Sequence, residues 1–271
     1  MPRIIAFAAF ALGLVGCSES TNQAATSTTA ASSIALPPAN APLDYQLGGN
    51  YPPDADVAAL SRDRTTEPDP DRYNICYVNG FQSQPHEASL WLDEHPDLLL
   101  RDDSGAPLID PDWPDEYILD ISTTNNRAQL TEIVGAWIDG CATSGFQAVE
   151  IDNVDTYTRF PDRLTEDQAV DFSRQLAERA HADGLAIGQK NAAELLPRRA
   201  EVGFDFAVVE QCSEYDECGL FTAAYGDQVY AIEYTQANFD KGCEQFPQIS
   251  IVLRDREVTA PGSPDYVRQA C

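Results

Sequence analysis

The chain has 271 residues, 43% of them apolar, which is enough to build one large packed domain. Its 44 acidic residues against 17 basic ones leave a formal net charge of −27, which excludes a nucleic-acid partner because phosphate recognition needs Lys and Arg. The same excess suits a cationic partner, or a solvated acidic surface.

Residues 1–17 carry one basic side chain, Arg3, and then an apolar run too short to span a membrane, which reads as a signal peptide. The run ends in Leu14-Val-Gly-Cys17, similar to a bacterial lipobox. That resemblance implies lipidation of Cys17 and a cell-envelope lipoprotein, or a secreted protein if the lipid is absent. Residues 18–42, rich in Ser, Thr, Ala and Pro, predict a disordered tether. Residues 43–271 remain as a single domain, read as a monomer.

Beyond Cys17 there are six cysteines, an even count that in an exported chain predicts three disulfides. Proximity in sequence pairs Cys212–Cys218 and Cys243–Cys271, which leaves Cys76–Cys141. No CxxC pair occurs, and His86, His95 and His181 lack ligand spacing, so neither a metal nor another cofactor is expected.

In chain order, strand patterns occur at 45–48, 57–61, 73–78, Ala148–Asp152, 186–189, Phe206–Glu210, 229–234 and 249–253. Helical patterns alternate with them, clearest at 126–141, 166–183 and 192–199. Thr165-Glu-Asp-Gln168 has capping-box spacing and starts the second helix. Alternation predicts a parallel sheet, and eight strands fit a (β/α)8 TIM barrel. The long connection 81–125 after the third strand would then sit at the mouth, where barrel sites form.

The pivotal stretch is Gly145-Phe-Gln-Ala-Val-Glu-Ile-Asp-Asn-Val-Asp155. Side chains alternate along a strand, so Glu150 and Asp152 share a face, and carboxylates on a buried strand are costly unless paired or used. Other strand ends are also polar: Asp63 on the second, Tyr77 on the third, Lys190 and Asn191 on the fifth, Glu210 on the sixth, Glu233 and Tyr234 on the seventh. Asn153, Asp155 and Tyr157 follow the fourth. A barrel gathers these ends at one rim, giving an acidic pocket suited to a sugar. Tyr157, Tyr215, Tyr234, Trp91 and Trp113 are candidate stacking surfaces. Glycoside hydrolysis needs two carboxyl groups flanking one bond, and Asp152 and Glu210 are the candidates, with Lys190 on the strand between them.

Val149-Glu-Ile-Asp-Asn-Val-Asp-Thr-Tyr157 resembles the VEPDNVDxY signature of glycoside hydrolase family 114, the endo-α-1,4-polygalactosaminidase type. Asp44-Tyr-Gln-Leu47, Asn74-Ile-Cys-Tyr77, Gly188-Gln-Lys-Asn191, the run from Phe204 to Cys218 and Ala231-Ile-Glu-Tyr234 are similar in the same order. The resemblance implies Asp152 as nucleophile, Glu210 as acid/base, and a galactosamine-rich α-1,4 polysaccharide as substrate. Ile151 replaces the family's Pro, the opening Trp is not at Asp44, and the turn 78–85 differs from the family's Ser-rich, Trp-containing one. The alternatives are a glycan-binding surface lipoprotein without catalysis and a hydrolase for a different amino-sugar polymer.

Overall fold

A computed structural model describes residues 1–2 and 34–271; Cys17 and residues 18–33 of the tether lie outside the described residues. Eight parallel strands follow one another around a barrel: β1 Leu43–Gln46, β2 Ala59–Asp63, β3 Tyr73–Asn79, β4 Ala148–Asp152, β5 Ala186–Lys190, β6 Phe206–Glu210, β7 Val229–Glu233 and β8 Ser250–Arg254. A ninth strand, β9 Arg268–Ala270, pairs antiparallel with β8. Outside the sheet pack α1 Thr124–Ser144, α2 Thr156–Arg159, α3 Glu166–Ala182, α4 Arg199–Val202, α5 Cys218–Tyr225 and α6 Gln236–Gln245.

The fold is the expected TIM-type barrel with two departures. Among the described residues no helix separates β1 from β2 or β2 from β3, and β9 stands where a helix after β8 would be. The pattern at 192–199 is a 3-10 turn, Ala193–Arg198, with Pro197 inside it, ahead of the short α4. Proline lacks the donor that a continuous α-helix needs there. α3 begins as predicted: the Thr165 hydroxyl accepts from Gln168 N and the Gln168 side chain returns to Thr165 N.

Two apolar layers follow from strand alternation. Outward residues such as Val149, Ile151, Ala207 and Val209 pack under the helices. Inward residues such as Leu43, Ala148, Phe206 and Tyr230 fill the barrel. Phe206 needs Gly188 as its neighbour, because a Cβ there would lie 2.5 Å from its ring.

Residues 34–42, assigned from sequence to the tether, lie on the N-terminal end of the barrel. Tyr73, Tyr230 and Ser250 donate to the carbonyls of Ala35, Pro38 and Ala41. Ile34 packs against the interior cluster, which composition alone did not reveal. The disulfides are Cys76–Cys141, Cys212–Cys218 and Cys243–Cys271, as the cysteine arithmetic paired them.

The seam between β8 and β1 is closed by charge. Pairing runs from β1 to β9 and stops there among the described residues. Buried Asp44 of β1 instead meets Arg254 of β8 at 3.5 Å and Arg268 of β9 at 3.6 Å. Gly48 completes the closure: its N–H donates to Val258 O, and a Cβ on it would fall 2.5 Å from that oxygen. Replacing Asp44 with Ala leaves buried Arg254 with the Val267 and Thr259 carbonyls and Asp255 at 3.9 Å, so the expected loss is about 3 kcal/mol, read by urea unfolding with the disulfides intact.

Candidate active site

The site is the top inward layer of the barrel. Along each strand the residue two beyond an interior apolar or buried polar side chain reaches the mouth. This places Asp63, Tyr77, Asp152, Lys190 and Glu210 around one opening. Directly after the last three, the chain turns through left-handed residues: Asn153 (φ 63°), Asn191 (φ 47°) and Gln211 (φ 59°). Non-glycine residues tolerate that conformation at a cost, most easily Asn, and such strain collects where side chains must be aimed.

Lys190 is the hub. Its buried ammonium lies 3.4 Å from Asp152 Oδ2 and 3.1 Å from Glu210 Oε2, and it donates to the Tyr45 hydroxyl at 3.1 Å. The two carboxyl oxygens are therefore at most 6.5 Å apart, the sum of the two ion-pair distances. Tyr77 donates to Asp152 Oδ2 at 2.7 Å, and Asn153 N to Asp152 Oδ1 at 2.8 Å. Asn191 holds Glu210 twice, donating to Oε2 at 3.2 Å and accepting from Glu210 N at 2.8 Å. The Tyr234 hydroxyl donates to the other Glu210 oxygen.

Burial raises the Glu210 carboxyl, but the Lys190 ammonium and the Tyr234, Lys190 and Asn191 hydrogen bonds outweigh it and hold the group below the usual carboxylate range. Burial likewise lowers Lys190, and Asp152, Glu210 and Glu150 overcome this to keep it charged, well above its ordinary value.

The cavity over this hub is about 650 Å³. Ten carboxylic residues line it against three basic ones, Arg159, Lys190 and Arg256. Of the residues assigned to it from sequence, Asp152, Glu210, Asn153, Asp155, Lys190, Asn191, Tyr215, Tyr234, Asp63 and Tyr77 line it. Asp155 pairs with Arg159 at 2.9 Å, and Asp63 accepts from Gln84 at 2.7 Å.

Four do not line it, counting the stacking candidate Trp91. Glu150 shares the Asp152 face but lies one layer down, fully buried, accepting from Tyr45 at 2.6 Å and Ser61 at 2.8 Å. Burial, opposed by Lys190 and those hydrogen bonds, raises its carboxyl to about 7. Glu233 precedes inward Tyr234 and so points outward, where its buried carboxylate accepts from Ser213 N at 2.8 Å. Tyr157 packs in the outer core from α2, and Trp91 is fully buried there too. Cys212, Cys218 and Glu233 bring three metal-capable atoms within 4.8 Å of one another, but the two sulfurs are joined in a disulfide.

Tyr45 and Glu116 were missed, while Asn79 was read only as one of the polar strand ends at the rim. Tyr45 lies two residues beyond inward Leu43, and Asn79 two beyond Tyr77, so alternation pointed to both. Glu116 comes from the insert and had no such signal. Asn79 donates to Glu116 Oε2 at 3.1 Å and accepts from Asn153 at 3.1 Å. Burial and then the Asp152 charge push Glu116 up to about 7.

A parallel barrel whose mouth holds two carboxyls on one ammonium belongs with the TIM-barrel glycoside hydrolases. Residues 23–271 match glycoside hydrolase family GH114, and the chain belongs to that family. Aspergillus fumigatus Ega3, solved in complex with galactosamine, superposes with a TM-score of 0.68 at 23% identity, over 87% of this chain and 97% of that one. The glycoside hydrolase domain of PelA from Pseudomonas aeruginosa does so at 0.56 and 14%, over 83% and 99%. No curated protein matches the chain.

Because Glu210 titrates below its unfolded value, its pairing adds stability above that value and loses it as pH falls through the lower folded one. Lys190→Met removes the cation while burial and Asp152 remain. The Glu210 carboxyl, followed by 13C NMR, should then titrate at least one pH unit higher than in the wild type.

Proposed function

We propose that the protein is an endo-acting, retaining glycosidase that cuts α-1,4-linked galactosamine-containing polysaccharide. In this reading Asp152 is the nucleophile and Glu210 the acid/base. The observation that carries it is the shared Lys190, which brings Asp152 Oδ2 and Glu210 Oε2 to at most 6.5 Å from each other in one cleft. Inverting enzymes separate their carboxyls by about 6.5–9.5 Å to admit a water, and retaining ones by about 5–5.5 Å.

Asp152 attacks the anomeric carbon while Glu210 protonates the departing glycosidic oxygen. Water then releases the sugar from Asp152, with Glu210 taking its proton. Lys190 stabilises the carboxylate charges in both steps, and Tyr77 and Asn191 fix their aim. Because Glu210 is held low, its acid form is scarce at neutral pH, so turnover rises toward acid pH. An excess of carboxyls in the cleft favours a cationic polymer, and Ega3, whose fold this chain shares, was solved with galactosamine. With a lipidated Cys17 the enzyme would work outside the cell, as a monomer held at the envelope. A glycan-binding protein without catalysis would have no need of two carboxyls converging on one bond.

The test is incubation of the soluble domain with defined galactosamine and other amino-sugar polymers, followed by product sizing. Internal cutting is expected, with Asp152→Asn and Glu210→Gln each lowering kcat at least a thousand-fold. Binding without cleavage of any of these polymers favours the glycan-binding reading instead.

A further inference from the structure

Two aromatic side chains stand exposed in the cleft on turns that are themselves held fast. Trp113 is 46% exposed and Tyr215 61%, and both line the cavity around Asp152 and Glu210. Unlike exposed Leu92 and Leu220, these two rings line the cavity that holds the catalytic pair, where a flat apolar face is open to stacking.

The Trp113 turn hangs on buried Asp110. Asp110 Oδ1 accepts from Asp112 N at 2.9 Å and Trp113 N at 3.2 Å. Its Oδ2 accepts from Gln82 at 2.8 Å and pairs with Arg159 at 3.2 Å. Glu116 N then donates to Trp113 O at 2.9 Å, closing the turn. The Tyr215 loop is clipped by the Cys212–Cys218 disulfide, and Lys241 ties it down by donating to Ser213 O and pairing with Asp216.

The two loops follow β3 and β6, three strands apart in an eight-strand ring, so they enter the cleft from different sides of the mouth. Asp152 ends β4, between those two strands, and Glu210 ends β6, and all four side chains line the one cavity. Glu116, beside Trp113, has no ion-pair partner among the described residues, although Asp152, Asp110 and Arg159 all act on it. The ammonium of a sugar stacked on Trp113 is the cation this carboxyl lacks.

Resting on the proposed function, we propose that Trp113 and Tyr215 are the stacking platforms of subsites on the two sides of the scissile bond. Glu116 gives the Trp113 subsite its preference for a free amine over an N-acetyl group. A chain bound on both sides of the catalytic pair is cut internally, and preordered platforms lose little entropy on binding.

The test uses calorimetry with galactosamine oligomers of one to six units, on a background carrying Asp152→Asn to stop turnover. Affinity should grow with length. Trp113→Ala and Tyr215→Ala should each weaken hexamer binding about ten-fold with Tm unchanged, and Trp113→Phe should restore most of the loss. Glu116→Gln should cut the preference for the free-amine hexamer over its N-acetylated form about five-fold. A background that binds no oligomer, or Ala variants that bind the hexamer as the background does, overturns the platforms. An unchanged amine preference removes Glu116 from the subsite. Hydrolysis by the unmodified chain is read separately, so a protein that binds oligomers through these side chains but cuts nothing sinks the enzymatic reading and leaves the platforms standing.

Discussion

One buried ammonium organises the mouth of this barrel. Lys190 touches Asp152, Glu210 and Tyr45 together, and each of those groups comes from a different strand. Two carboxylates this close would otherwise repel and share a proton. The cation between them offsets that repulsion and holds the Glu210 carboxyl below the usual carboxylate range. The third acid of the cluster, Glu150, lies deeper and is the one whose burial drives it toward the neutral form. The whole arrangement needs the strands to keep their register: a slip of one residue would turn every one of these side chains into the outer core.

The barrel supplies that register by different means around its circumference. From β1 to β8 it is parallel pairing, while at the seam Asp44 with Arg254 and Arg268 does the joining. Cys76–Cys141 ties β3 to α1 around the long insert, and Cys243–Cys271 ties the end of the chain to α6. The insert is then free to carry cleft-lining residues without loosening the strands beneath.

Much of this was legible in the sequence because it depends on a period of two. The strands around Asp152 and Glu210 read as apolar runs ending in acids, and both acids line the cleft. Two cysteine pairs followed from proximity in sequence and the third, Cys76–Cys141, was what remained. Where sequence reading went astray, it ignored depth or phase: Glu150 is in phase with Asp152 but a layer below, and Glu233 is out of phase with Tyr234 by one residue. Trp91 and Trp113 look alike in the sequence of the insert, yet one is core and the other solvent-facing, because only long-range contacts fold that segment. The ion-pair seam and β9 were equally hidden, since Asp44 and Arg268 lie at opposite ends of the domain.

As the proposed nucleophile, Asp152 must form a covalent bond to sugar while Glu210 stands opposite. Incubation with a 5-fluoro galactosaminyl fluoride, followed by peptide mapping by mass spectrometry, tests this most directly. The predicted result is a single glycosyl adduct on Asp152 that disappears on prolonged incubation in buffer. An adduct on Glu210, or release of a product of inverted anomeric configuration with no adduct at all, would contradict it.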